Sequence, residues 1–303
     1  MLNPMRRILF GVAICGVAAA RGVAQQVPGR DLLEFPIGAI VEPAALGRAT
    51  IGGLWNPAST VLPEGTRLRI GVAALNAPAD QAVSAQLLGF SAALPRDVSA
   101  SVSVVRAAVG DIVRTDTDPQ SIGNEVPYHT TLLSVGLARR TQRFLTTGVA
   151  VRYRVGQLDL RRADALGVDG GLLAEGFLPR DVRVGASTFL WSPAGQSEER
   201  PTYSTAADLR LAGTSPRNEV RAGYGFSYTE RSGEEHYVFG SARRAGLEAR
   251  GGIARAQRFS EPEWRLRLGV GVYYARYALG IGREEGGAGL PPTYQFTLNT
   301  AIK

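Results

Sequence analysis

The side chains best suited to chemistry in this sequence are arginines and carboxylates at alternate positions. Arg67 and Arg69, Arg152 and Arg154, and Arg265 and Arg267 each stand two apart, and Arg221 follows Glu219 by two. Residues two apart share one face of an extended chain, so each such pair points the same way. A guanidinium grips a carboxylate or phosphate through two parallel N–H donors. Two readings of these arginines stay open: a ring that selects anions or carboxylate head groups, or structural pairing with Asp208, Glu219 and Glu248.

Other chemistry has less to work with. His129 and His236 are isolated, with no nucleophile motif around either and no nearby metal ligands. Gly251-Gly252 and Gly286-Gly287 match no phosphate-binding loop. The chain is therefore not read as an enzyme, and no catalytic, metal or cofactor-binding residue is assigned. One compact motif stands out, Trp55-Asn56-Pro57-Ala58, where proline fixes the backbone and Asn56 can bond its neighbours. It is either a turn held inside a larger body, as a plug, or a plain turn before the first strand.

The 303 residues that must position these groups are 45% hydrophobic and 20% charged, with 37 glycines and a mean hydropathy of −0.03, which excludes a disordered or collagen-like chain. Arg6 and Arg7, the apolar run from Ile8 to Ala20 and the small residues Gly22-Val23-Ala24 read as a secretory signal cleaved after Ala24. No other stretch is apolar and long enough for a membrane helix. Of the 34 basic residues only Lys303 is a lysine; losing Arg6, Arg7 and Arg21 lowers the formal charge from +7 to about +4, a poor match to nucleic acid. Cys15 lies within the signal, so the exported chain has no cysteine and no disulfide.

From Thr66 onward the sequence alternates apolar and polar residues in segments of about ten, the period of β-strands. In the clearest segment Trp264, Leu266, Leu268, Val270, Val272 and Tyr274 oppose Arg265, Arg267, Gly269, Gly271 and Tyr273. Strands are expected at 66–76, 81–93, 97–109, 128–139, 143–155, 180–191, 201–212, 217–229, 235–244, 247–258, 263–273, 275–283 and 293–302. Closed bacterial barrels favour even numbers, so about fourteen strands are expected, with twelve as the fallback and a missed strand sought in 156–175. Long loops are expected at 110–127, 156–179 and 284–292, and short turns at 140–142 and 245–246.

The polar face is rich in glycine and arginine rather than in the long, mixed side chains of a soluble sheet, and suits a closed lumen better than water. Tyr128, Phe144, Tyr153, Trp191, Tyr203, Tyr228, Tyr237, Trp264, Tyr274 and Tyr294 fall near strand ends, where interfacial girdles would need them. The expectation is an all-β, transmembrane, antiparallel up-and-down barrel over 66–303. Residues 25–65 form an irregular or briefly helical segment that could plug it, with one short helix near Pro43 to Arg48.

The run Gly47-Arg-Ala-Thr-Ile-Gly-Gly-Leu-Trp-Asn-Pro-Ala-Ser59 resembles the N-terminal pattern of FadL-type and PorV/PorQ-type outer-membrane barrels. Ser134 to Tyr153 is similar to a central hairpin of that group. The resemblance implies a bacterial outer-membrane location with lipid as the surroundings. It further implies either passage of small or hydrophobic molecules past an N-terminal plug, as in FadL-type barrels, or a non-conducting scaffold that serves secretion-system proteins, as in PorV-type ones.

Overall fold

The computed structural model describes residues 26–34, 42–47, 52–77, 82–114, 125–176, 180–192, 199–230, 232–258, 261–285 and 292–303. The expected signal segment, and parts of the expected plug, lie outside these residues.

Fourteen antiparallel strands close into one barrel: β1 Leu68–Asn76, β2 Val83–Leu94, β3 Val98–Val109, β4 Tyr128–Gln142, β5 Leu145–Leu158, β6 Arg161–Glu175, β7 Arg183–Phe189, β8 Thr202–Ser215, β9 Asn218–Thr229, β10 Gly233–Arg244, β11 Leu247–Arg258, β12 Glu261–Tyr274, β13 Tyr277–Glu284 and β14 Thr293–Ile302. Each strand pairs with its neighbours in sequence, and β1 meets β14 from Leu68↔Ile302 to Asn76↔Tyr294. Closure leaves no free edge strand, as hydrocarbon demands, although β6 meets β7 only over Gly171–Glu175 and β12 meets β13 only from Arg267 onward.

The expected even number is met, and the strand absent from the thirteen segments is β6. The loop expected at 156–179 is thus corrected: β5 and β6 join through residues 159–160 alone. The chain there escapes the strand pattern because Arg162 and Asp164 face outward beyond the apolar zone, while the inward face carries Gly167, Asp169 and Gly171. The turn expected at 140–142 falls at 143–144, since β4 runs on to Gln142. At 245–246 the turn is as expected; Ala245 and Gly246 both have positive φ, 47° and 89°, matching a tight hairpin to the strands' twist.

The outer face is apolar. On β12, Trp264 and Tyr274 are 66% and 78% exposed and bracket four aliphatic residues. At about 3.3 Å per residue and a tilt near 40° this face spans roughly 25 Å, the height of a bilayer-facing band. Two aromatics expected in the girdles face inward instead. Tyr128 donates to Asp31 at 2.5 Å, and Tyr237 is 3% exposed against Phe239. Both occupy lumen positions by the same alternation, which places ring position by parity and not by nearness to a strand end.

Connections 95–97, 143–144, 176–182, 216–217, 245–246 and 275–276 lie at one end, together with the approach to β1 and Lys303. The longest connections, 110–127 and 190–201, lie at the other with 77–82 and 285–292. Short turns on the periplasmic side and long loops outside are the habit of such barrels.

Candidate functional site: the occupied lumen

The described residues from 26 to 62 lie against the inner wall of the barrel, and Pro63, Glu64 and Gly65 are exposed in the turn that leads to β1. The inner residues make 3-10 turns at Asp31–Glu34, Ala44–Leu46, Gly52–Leu54 and Pro57–Thr60, and their backbone follows the wall from β3 to β8. The Trp55-Asn56-Pro57-Ala58 motif is buried there. The Asn56 amide donates to Ala45 O at 2.6 Å and to Leu172 O at 3.1 Å, and its Oδ1 accepts from Ala58 N–H at 2.9 Å. Asn56 caps the Pro57–Thr60 turn while Pro57 starts it. Trp55 packs on Phe189 with ring centres 4.6 Å apart, in an apolar cluster that joins Leu32, Leu33 and Leu54 to Leu75, Leu87, Val105 and Leu132 of the wall.

The wall receives this segment with glycines. A Cβ at Gly171 would stand 2.1 Å from Asn56 Oδ1, and one at Gly185 would stand 2.1 Å from Ala45 O. Only hydrogen fits at either place.

Two arginines tie the segment down. Arg152 and Arg154 are both 0% exposed. Arg152 pairs with Asp169 at 2.6 Å, donates to Leu54 O and lies over the Phe189 ring at 5.1 Å. Arg154 donates to Pro28 O at 2.7 Å and Val27 O at 3.0 Å, and pairs with Glu199. Guanidinium supplies enough donors to serve a carboxylate and a backbone carbonyl together.

The remaining residues singled out in sequence distribute as follows. Asp208 lies between Arg183, at 2.8 Å, and Arg221, at 2.7 Å. Glu219 accepts from Arg210 and Arg221, each at 3.1 Å. Glu248 accepts twice from Arg250, at 2.8 and 3.0 Å, and once from Tyr273. Arg265 meets Glu263 and Glu284, and Arg267 meets Glu235 and Glu284. Arg69 lines the lumen cavity, whereas Arg67 is exposed just before β1. The structure thus brings Arg152, Arg154, Arg221, Arg265 and Arg267 into ion-pair networks and not into one clear ring. Sequence reading missed Asp169, because β6 was not read as a strand. It also missed Glu42 and Glu199, whose partners lie 208 and 45 residues away.

Against β9–β14 the lumen is not filled by the described residues: a cavity of about 880 Å³ remains, with Arg183, Arg221, Arg243 and Arg250 among its lining. It reaches the turns 245–246 and 275–276, at the short-turn end. A smaller space of about 110 Å³ lies toward the other end, lined by Arg30, Trp55, Tyr237 and Arg267. Glu42 of the inner segment borders both spaces and stands 3.5 Å from Arg183 and 3.4 Å from Arg250. It adds an ionic link to the apolar contacts that Ala45 and Leu46 make with Tyr237, Phe239 and Ala254 of β10 and β11.

No protein-family model matches the chain, and no curated protein does. Solved structures are similar in fold. A TodX mutant described as a monoaromatic hydrocarbon channel superposes with a TM-score of 0.55 at 12% identity, over 87% of this chain and 97% of that one. Omp33, an outer membrane protein of Acinetobacter baumannii, gives 0.44 at 11% over 78% and 98%. OprB of Pseudomonas putida gives 0.43 at 7% over 78% and 92%. At these identities the likeness is one of architecture, and the chain has the fold of outer-membrane β-barrels.

Proposed function

We propose that this chain is an outer-membrane passage protein on a FadL-like plan, in which the described residues of the inner segment, 26–34, 42–47 and 52–62, stop the lumen and the wall β9–β14 borders the route of a small solute. The observation that carries this reading is the division of the lumen: one side is packed with the inner segment, and the other holds a cavity of about 880 Å³ open toward the short-turn end. A FadL-type resemblance implies apolar cargo. Here part of the apolar interior is already taken up by Leu32, Leu33, Leu54 and Trp55, and the free space carries arginine, glutamate and amide side chains beside Phe239, Tyr273 and glycine backbone, which supports a solute with charged or polar groups.

Glu42 is then the latch. A carboxylate between two guanidinium groups on different strands, Arg183 on β7 and Arg250 on β11, loses both attractions when neutralised. In planar bilayers the intact chain should show low, intermittent conductance, Glu42→Gln should open more often, and removal of residues 26–66 should leave a permanently open pore. A deletion variant that folds, by heat-modifiable migration, yet passes no ions or solutes would sink the passage reading. Recovery of stoichiometric secretion partners would then favour the PorV/PorQ-like scaffold.

A further inference from the structure

Over two successive rows of the sheet, β12 and β13 present no side chains to the lumen. Gly269 pairs with Gly282 and Gly271 with Gly280, and all four line the large cavity. The same rows continue to Arg250 and Glu248 on β11 and to Gln295 and Thr297 on β14. Three strand spacings separate β11 from β14, so the bay is roughly 14 Å across with bare backbone as its floor.

The polar groups around this bay are not satisfied by the protein. Gln295 is 3% exposed, and its amide oxygen has no hydrogen-bond partner among the described residues. The Asn299 amide oxygen, two inward positions along β14 from Gln295 with Thr297 between them, likewise has no partner among the described residues. Arg243 Nε is buried without an acceptor, while its guanidinium lies over the Tyr273 ring at 3.6 Å. The carboxylates beside Arg243 in the sheet, Glu219 and Glu248, make their hydrogen bonds elsewhere, Glu219 with Arg210 and Arg221 and Glu248 with Arg250 and Tyr273, so that Glu248 attracts Arg243 only through space. Buried polar groups are ordinarily bonded, and leaving one unmade costs more than making it returns. Three such groups facing one cavity whose charged lining is mostly arginine describe a receptor for an anion that also bears hydrogen-bonding groups.

We propose that this bay binds a small hydroxylated or amide-bearing carboxylate, its carboxylate on Arg243 and its polar substituents on Gln295 and Asn299. Tyr273 holds the guanidinium flat and leaves its edge for the ligand. The assignment rests on the passage reading only for the route by which the solute arrives.

Binding is therefore measured apart from passage, on the full chain in detergent micelles, by equilibrium dialysis with malate as probe and with inorganic phosphate and glucose as comparators. Malate should bind saturably and more tightly than either comparator. Arg243→Gln and Gln295→Ala should each weaken it by about tenfold, the loss expected for one charge-assisted or buried hydrogen bond. Arg96→Gln, in the exposed turn 95–97, should leave it unchanged. Heat-modifiable migration checks that each variant is a closed barrel, and Asn299→Ala replaces Gln295→Ala if the latter does not fold. Absence of saturable malate binding, equal or tighter phosphate or glucose binding, or unaltered binding in folded Arg243→Gln would each overturn the proposal. Malate binding in a barrel that conducts nothing would refute passage alone; conduction without malate binding would refute the bay alone.

Discussion

The walls β5–β7 and β12–β13 show the same outward pattern and the same inward abundance of glycine, yet the glycines serve opposite ends. On β5–β7 a Cβ at Gly148, Gly156, Gly171 or Gly185 would stand 2.0 to 2.4 Å from an atom of the inner segment. On β12, a Cβ at Gly271 would meet nothing nearer than the Tyr273 ring at 3.4 Å. The first set makes contact with the inner segment; in the second, Gly271 makes room, and a Cβ at Gly280 would crowd only the Thr297 hydroxyl of the neighbouring strand, at 2.5 Å. Around the first set the ion pairs are dry and fixed to backbone carbonyls; around the second they line a cavity.

That contrast can be broken most forcefully at Arg152. Replacing it by alanine strands Asp169, 0% exposed, as an unpaired buried charge, a loss of about 3–5 kcal/mol. Urea unfolding in lipid vesicles, followed by heat-modifiable migration, should show it, and the double replacement Arg152→Met with Asp169→Leu should recover most of the loss. Equal stability of Arg152→Ala and the intact chain would mean that the packed wall is no firmer than the bare one.

The glycines offer a matched pair of intermediate size. Gly171→Ala must displace Asn56 or the strand, at a cost of about 1–3 kcal/mol, with a rise in bilayer conductance as the inner segment loosens. Gly271→Ala has space for its methyl group and removes a flexible residue from a strand, so its effect should stay within about 1 kcal/mol, toward greater stability. If the two behave alike, the distinction between contact and room is wrong.

The smallest effect belongs outside both walls. Arg114 and Asp159 pair at 2.5 Å on the long-loop rim with side chains 52% and 41% exposed. Arg114→Ala should shift the unfolding midpoint by no more than about 0.5 kcal/mol, less at high salt. A larger shift would place structural weight on the rim.

The barrel was legible because lipid and lumen impose a two-residue period that any single strand displays. Strand β6 escaped where that period is weakest, at a rim-facing Arg162 and Asp164 and at Gly170-Gly171. The interior was far less legible. Asn56 announces a turn, but nothing local tells that its amide reaches Leu172 O, 116 residues on. Nor does Arg154 beside Thr130 foretell that it will hold the carbonyl of Val27. Alternation says which residues face inward; only packing says which of them find the inner segment and which find space.

The wall that grips the inner segment by its backbone is also made early in the chain, ahead of β9–β14. The seam between β1 and β14 joins residues as far apart as Leu68 and Ile302, the costliest loop to close. Were the segment seated on β4–β8 before closure, it would give the sheet a mandrel to curl around and bring β1 toward the last strand. The stopper of the finished barrel would then be, in time, its first template.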